Sequence, residues 1–469
     1  MRAFIAAGNF SDKMAVITDY GDFLTYSQLY KELNKLNSSI SGRPLIFCLC
    51  ENTIGSFIGY CAFLNNGFPA VMLDSSKDWE ILRNLLVTYE PNYIWMPKSK
   101  LCGFDICEIV YEVYGYVLIR YSDRKCEMSD ELALLLTTSG STGSPKLVRL
   151  SRVNILSNAE SIADYLEITS AERPITSLPM HYSYGLSVIN SHLMKGATIL
   201  LTDYSVIQKE FWTFVQREKA TSLAGVPYTY EMLRRLKIFQ MNLPDLKIMT
   251  QAGGKLNAEF VQEYICKAEE TGKKFIVMYG QTEATARMSY LPWKWAAEKY
   301  RSVGIAIPGG QFILMNSDGQ EITESYVDGE LVYSGANVSL GYAECRADLS
   351  KSDDNHGVLH TGDIAYRDVD GFYYIVGRIK RFVKIYGNRV SLDATEQLVK
   401  TVTSSCACVG VDDKITVFIT DFDKQEEIKA VLFQKTGLNP RAFVIKVVDS
   451  IPQNSSGKVQ YAELVRLFF

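Results

Sequence analysis

Residues 132–148 read LALLLTTSGSTGSPKLV: an apolar run from Leu132 to Leu136 passes directly into Thr137–Lys146, a stretch of threonine, serine and glycine that closes on a lysine. A short apolar run bounded by small polar residues is the pattern of a buried strand. The polar stretch after it has the composition of a phosphate cradle. Glycine permits positive φ and close backbone approach, successive N–H groups form an anion nest, hydroxyls add donors, and Lys146 supplies a cation. The Walker spacing GxxxxGK[ST] is absent, which disfavours a P-loop kinase or GTPase. A polar surface loop has the same composition, so composition alone leaves both readings open.

Outward from this stretch, strands alternate with helical patterns. FLTYSQLYKELNKL (23–36) sets Thr25 and Gln28 as a capping box ahead of Leu29, Leu33 and Leu36, which predicts a helix from about residue 26. Strand-like LIFCLC (45–50), a buried helix followed by a strand over Ile54–Leu73, PNYIWM (91–96), ATILLT (197–202) and KKFIVMYG (273–280) continue the alternation of an α/β sheet. Ligands of such sheets gather at the carboxyl ends of the strands. From about residue 303 short strands with glycine turns (ILMNSDGQEI, GELVYSGANVSLGY, VDGFYYIVGR) predict a β-rich subdomain. Beyond the charged RIKRFVKIYGNR, a helix near 392–402, strands near 407–420, a helix near 424–435 and a strand near 443–448 make a small α+β unit, with a boundary close to Lys380.

Composition excludes more than it selects. The chain has 469 residues, 47% hydrophobic and 22% charged, and a formal charge of -4 from 49 basic and 53 acidic side chains. Nothing there calls for nucleic acid or an anionic membrane. The ten cysteines are dispersed and lack zinc-site spacing, which suits free thiols in a reducing cytoplasm. The apolar stretch at the start is too short for a signal peptide, and no run is long enough to span a membrane. No internal repeat or low-complexity segment is present.

TSGSTGSPK (138–146) resembles the signature of the adenylate-forming, AMP-binding superfamily, which includes acyl-CoA synthetases, luciferases and peptide-synthetase adenylation domains. Further matches come in the family's order: YGQTEATARM from Tyr279, GELVYSG from Gly329, HTGDIAY from His360, GRIKRFVKIYGNRV from Gly377 and IPQNSSGKVQYAEL from Ile451. The resemblance implies a large N-terminal ATP- and acid-binding domain, residues 1–379, with α/β layers and a β-rich subdomain. It implies a small mobile C-terminal α+β domain, residues 380–469, carrying the catalytic lysine.

The resemblance also distributes roles. Thr138, Ser139, Gly140, Ser141, Thr142, Gly143 and Lys146 would cradle the phosphates of ATP; Thr282 would contact the α-phosphate and Glu283 hold Mg²⁺. Tyr279 would stack on adenine against the Gly253 and Gly254 backbone, with Gly280 and Gln281 in the same nucleotide site. Asp363 would accept both ribose hydroxyls, a task suited to an acceptor with two oxygens and no donors, and Arg378 would help hold the nucleotide. Lys458 would be the catalytic cation between two anionic reactants. The family's usual arginine three positions later is Tyr461 here, which suggests a different docking surface for that helix. Lys380 would be the hinge on which the C-terminal domain turns between half-reactions.

In PMHYSYGLS the family sets an aromatic or histidine beside the substrate carboxylate, at Tyr182 by count, with His181 one before it; either can serve. The aspartate with which amino-acid-activating relatives hold an ammonium falls at Ser183, which cannot neutralise a cation, so a small carboxylic acid without an α-ammonium is favoured. Tyr182, Tyr184 and Met288 would give an apolar, aromatic lining. Arg287 is placed to meet a second anionic group, although an exposed surface arginine is the plainer reading. The acceptor would be CoA or the phosphopantetheine of a separate acyl carrier protein; Gly387 suits passage of either arm. A stand-alone amino-acid-activating enzyme, a phosphate-transfer enzyme and a non-catalytic nucleotide binder are the alternatives.

Overall fold

The computed structural model describes residues 10–104, 108–137, 146–386, 388–453 and 459–468. The Ser-Thr-Gly segment 138–145, Gly387 and Lys458 lie outside the described residues, as does the Lys380 side chain.

The first helix, Tyr26–Ser38, begins where the capping box puts it: the Thr25 hydroxyl accepts the Gln28 N–H at 3.1 Å and the Gln28 amide oxygen accepts the Thr25 N–H at 2.8 Å. Two large sheets arise from the alternating pattern. One has nine strands, with Ile305–Ala306, Ser289–Tyr290, Lys274–Tyr279, Ile248–Gln251, Ser222–Gly225, Pro174–Ile175, Ile199–Leu201, Met14–Thr18 and Phe23–Thr25 in spatial order, parallel through its centre. The other has eight, and in it Leu132–Thr137 lies between Ala70–Asp74, parallel, and Leu147–Ser151, antiparallel. One hydrophobic core joins Val16, Ile199 and Leu201 of the first sheet to Ile46, Cys48 and Met72 of the second through the helices Tyr26–Ser38, Ile54–Asn66 and Ser183–Met194.

Helices held between two sheets have no solvent face, and their residues show it. Ile54–Asn66 is buried from Ile54 through Leu64 and carries no charged residue, so helical periodicity is invisible in it. Ser183–Met194 is buried from Ser183 to Leu193. The two helices are tied by the Tyr60 hydroxyl donating to Asn190 Oδ1 at 2.7 Å. Their polar groups are thus satisfied internally, as burial requires.

A four-stranded antiparallel sheet, Gly310–Met315, Gly329–Gly335, Val358–Arg367 and Tyr373–Arg378, forms the β-rich subdomain. After it come the antiparallel pair Phe382–Ile385 and Asn388–Ser391, the helix Leu392–Lys400, a sheet of Cys406–Val411, Lys414–Ile419 and Phe443–Val447, and the helix Gln425–Thr436. Apart from the antiparallel pair, which was not expected, these elements fall within a residue or two of the expected ones. They pack on a core of their own that includes Val383, Val399, Cys408, Val417, Ile428 and Leu432. The chain has the α/β class, with a β-rich sheet and an α+β C-terminal part, that the alternation implied.

Close approach of the helix Ile54–Asn66 to Trp95 rests on glycine. The indole N–H of Trp95 donates to the Gly55 carbonyl at 3.0 Å, and a Cβ at Gly59 would lie 2.1 Å from that nitrogen. Gly59→Ala is expected to cost about 1–3 kcal/mol by forcing the helix off the ring, read as a lower denaturant midpoint; an unchanged midpoint would show that the contact yields freely.

Candidate active site

The parallel strands Ser222–Gly225, Ile248–Gln251 and Lys274–Tyr279 end side by side, and beyond the carboxyl ends of such strands a sheet of this kind opens its ligand crevice. Gly253 turns the chain at φ 82° with the Tyr182 hydroxyl so close that a Cβ there would sit 2.5 Å from it. Gly280 admits the Ala286 carbonyl, which would lie 1.7 Å from a Cβ. Side chains at either position would fill the crevice or spread the turn beside it.

Asp363, 2% exposed, is where distant segments meet. Its Oδ2 accepts the Tyr279 hydroxyl and, at 3.0 Å, the Gln281 amide; its Oδ1 accepts Arg378 Nε at 3.0 Å. Gln281 also donates to the Thr361 carbonyl at 2.9 Å. Burial, then the Asp363 charge, push the Tyr279 phenol well above its ordinary pKa, so it stays a donor. Burial works against the charge on Arg378, but Asp363, Tyr279 and Asp393 together outweigh it and the guanidinium pKa rises. Tyr279, Gln281, Asp363 and Arg378, singled out from three separate motifs, therefore form one hydrogen-bonded group.

Glu283 comes after Thr282 in a short 3₁₀ turn. Its Oε1 accepts the Tyr342 hydroxyl at 2.7 Å, and Lys146 Nζ stands 3.7 Å from the centre of the Tyr342 ring. The tyrosine thus links the lysine that closes the cradle motif to the carboxylate. Tyr342 was not singled out from sequence; its one signal is that it ends the stretch GELVYSGANVSLGY. Among the described residues no group of three or more His, Cys, Asp or Glu side chains forms a metal cage. A single carboxylate fits Mg²⁺ that completes its shell with phosphate oxygens and water.

The acid-side residues lie on and before the helix Ser183–Met194. Ser183 Oγ is 3.1 Å from Thr282 Oγ1, which brings the position expected to face the substrate against the one expected to face the α-phosphate. The Tyr184 hydroxyl is committed to Thr250, donating to its carbonyl at 2.9 Å. Burial raises the Tyr182 pKa to about 12, so that phenol is neutral. His181 Nε2 stands 3.8 Å from Asp74 Oδ2, and Nδ1 is buried with no hydrogen-bond partner. Burial lowers the His181 pKa more than Asp74 raises it, and Lys77 lowers it further, so the imidazole is neutral near pH 7.

Two expectations are corrected. Met288 does not line this crevice; it is fully buried in the β-rich core with Ile307, Phe312 and Tyr333. Arg287 is not a surface residue but 2% exposed, its side chain on the opposite side of the chain, with Nε 3.2 Å from Ser187 Oγ and Nη1 3.1 Å from the Tyr165 hydroxyl.

Lys458 is outside the described residues, but its segment is flanked by Gln453 and Val459, which pair with each other as an isolated bridge. Tyr461 at the start of the last helix donates to Glu396 Oε2 at 3.0 Å, and the Arg381 guanidinium lies 3.8 Å above its ring. An arginine from the start of the C-terminal part thus packs on the tyrosine that stands where the family's arginine would be.

The model of the AMP-binding enzyme family matches residues 4–343. The chain belongs to that family. It is therefore an AMP-forming acid ligase. Over 71% of the chain it is 27% identical to an oxalate–CoA ligase of Arabidopsis thaliana, spanning 66% of that protein. It is 24% identical to a probable CoA ligase of Humulus lupulus over 97% of this chain and 93% of that one. Its fold is that of the o-succinylbenzoate CoA synthetase of Bacillus subtilis, seen with an acyl-adenylate, at TM-score 0.78, 22% identity and coverage of 98% and 96%. ATP-bound MatB from Rhodopseudomonas palustris gives TM-score 0.79 at 21% identity, over 100% of this chain and 99% of that one. No helix of the described residues is long and apolar enough to cross a membrane.

Gly253→Ala is expected to weaken ATP binding about tenfold, because the added Cβ meets the Tyr182 hydroxyl in a turn whose φ already disfavours a side chain. Calorimetric titration with ATP checks this, and an unchanged affinity would mean that the crevice does not bind the nucleotide.

Proposed function

We propose that this enzyme activates a small carboxylic acid with ATP and Mg²⁺, forming the acyl-adenylate and releasing pyrophosphate, and then passes the acyl group to the thiol of CoA. The observation that carries the reading is the Asp363 group: a buried carboxylate surrounded by Tyr279, Gln281 and Arg378 at the ends of the parallel strands. An adenosine entering there exchanges the tyrosine and arginine donors for ribose hydroxyls, which frees the Tyr279 ring to lie on the base against Gly253 and Gly254. Thr282 then faces the α-phosphate and Glu283 the metal. Lys146 and the residues Thr138–Gly143 hold the β- and γ-phosphates.

The in-line attack of one anion on another needs a cation where charge develops, and Lys458 takes that part. Neutral His181 and Tyr182 suit a site for a carboxylate that must attack rather than be held as an ion pair. Ser183, bonded to Thr282, offers no charge to an ammonium, which favours an acid without an α-amino group over an amino acid. CoA is favoured over a carrier protein because the relatives named are CoA ligases. The described cysteines are free thiols, in keeping with a cytoplasmic location.

The division of labour proposed is a nucleotide- and acid-binding domain of residues 1–379 and a C-terminal domain of residues 380–469 that turns about Lys380 to bring first Lys458 and then Gly387 to the crevice.

Exchange of labelled pyrophosphate into ATP, assayed over a panel of small carboxylic acids, tests the reaction: exchange is expected only when the acid is present. Lys458→Ala is expected to slow that exchange by about 10²–10³; a variant within a factor of two of the parent would remove Lys458 from the chemistry. Lys380→Pro fixes φ at the turning point, so exchange is expected to survive while thioester formation falls by about tenfold or more. Equal loss of both half-reactions would point to general damage instead.

A further inference from the structure

Two arginines among the described residues are fully buried, and they differ in one respect. Arg149 is neutralised: Nη2 pairs with Asp354 at 2.6 Å, and the carbonyls of Tyr342, Lys351, Leu340 and Ser352 take its other N–H groups. Arg287 has no carboxylate partner among the described residues. Its neighbours are the Ser187 hydroxyl, the Tyr165 hydroxyl, the Met278 sulfur at 3.3 Å from Nη1, and the Tyr184 ring, whose centre is 5.0 Å from the guanidinium carbon. A buried cation met only by neutral groups is costly and calls for an anion.

The backbone holds the guanidinium there. Thr285 and Ala286, just before it, have φ of 57° and 97°, a region that side chains disfavour. Asn158 and Asn337 amides donate to the Arg287 carbonyl at 2.9 and 3.1 Å, Asn337 also to that of Ala284 at 2.8 Å, and Thr285 Oγ1 donates to the Asn337 carbonyl at 2.7 Å. Such a turn persists because its surroundings over-determine it, and its effect is to aim Arg287 into the interior rather than to solvent.

Its location relative to the crevice defines a length. Ser183, beside Thr282, and Ser187, beside Arg287, are one turn apart on the same helix, about 6 Å along its axis. Arg287 lines a cavity of about 20 Å³ with Val188, Thr250, His192 and Glu172. That is room for about one water, so a compact terminal group that displaces it and shifts its neighbours slightly can be admitted, and a long or aromatic chain cannot. Burial lowers the His192 pKa to about 4, with the Arg287 charge contributing, so the histidine brings no second cation. Glu172 lines the cavity without an ion pair to Arg287, and its Oε2 is buried with no hydrogen-bond partner.

We infer that the acid activated here is a short dicarboxylic acid whose second carboxylate is received by Arg287, with the Ser187 and Tyr165 hydroxyls beside it. This rests on the acid-ligase reading and names its substrate class; Arg287 acts on specificity and takes no part in the reacting bonds. A buried guanidinium at this depth also repels an ammonium, which agrees with the serine at position 183.

The test is pyrophosphate exchange with malonate, succinate and glutarate against propionate, butyrate and valerate. The parent enzyme is expected to favour a diacid at least tenfold in kcat/KM over the monoacid of equal length. In Arg287→Met that ratio is expected to fall at least tenfold, chiefly through KM, and in Arg287→Lys to fall less. If Arg287→Met does not fold, thermal shift of the parent with ATP gives the same answer, since the diacids and not the monoacids are expected to raise the melting temperature. Preference for monoacids overturns the assignment and leaves acid activation standing. Exchange with neither series overturns it too, and failure of ATP to bind in calorimetry would then take the underlying reading with it.

Discussion

A carboxylate with almost no access to water must be surrounded by donors, and at Asp363 those donors come from parts of the chain far apart in sequence. Tyr279 and Gln281 arrive from the end of a parallel strand; Arg378 arrives from the last strand of the β-rich sheet, opposite Asp363 in register. Satisfying this one group therefore fixes how the β-rich sheet sits against the nine-stranded one. It also fixes where the chain leaves toward the C-terminal unit, since Arg378 leads at once into residues 379–381. The crevice is a by-product of that requirement: its walls cannot drift apart without leaving a buried charge unmet, at a cost of several kcal/mol.

The same logic organises the other wall. Lys146, Tyr342 and Glu283 form a relay of cation, ring and carboxylate in which the tyrosine both donates a hydrogen bond and presents a π face. Ser183 and Thr282 share a hydrogen bond, so on the proposed assignment a change on the acid side would be felt on the phosphate side.

Much of this was legible in the residues of the chain, and the exceptions have physical causes. The capping box at Thr25 and Gln28, the apolar strands and the C-terminal α+β elements are local patterns, and they fell where periodicity put them. The Asp363 group was readable as members, because each sits in a motif, but not as a mutual arrangement, because hydrogen bonds across some eighty residues leave no trace in spacing. Arg287 and Met288 were misjudged for a related reason. Where the chain leaves the turn at Thr285–Ala286 the two adjacent side chains point to different layers, so one entered the β-rich core and the other the space beside the helix Ser183–Met194. Local sequence gives no sign of which layer lies on which side. Tyr342 was overlooked because its role depends on two partners that sequence keeps apart. The cradle segment 138–145 and Lys458, read most easily as motifs, lie outside the described residues.

The turn from Thr282 to Arg287 carries Glu283 and Arg287 on one strained piece of backbone, pinned by Asn158 and Asn337. A backbone change that relaxes the turn would move both side chains together, whereas an exchange of either side chain alone leaves the other in place. On the helix Ser183–Met194 the coupling is through side chains, Ser183 to Thr282 and Ser187 to Arg287, on a scaffold held by other bonds such as that of the Tyr60 hydroxyl to Asn190. On the proposed assignment, acid preference can therefore shift through side chains on the helix and at Arg287, while the backbone of the turn is the part that has to hold.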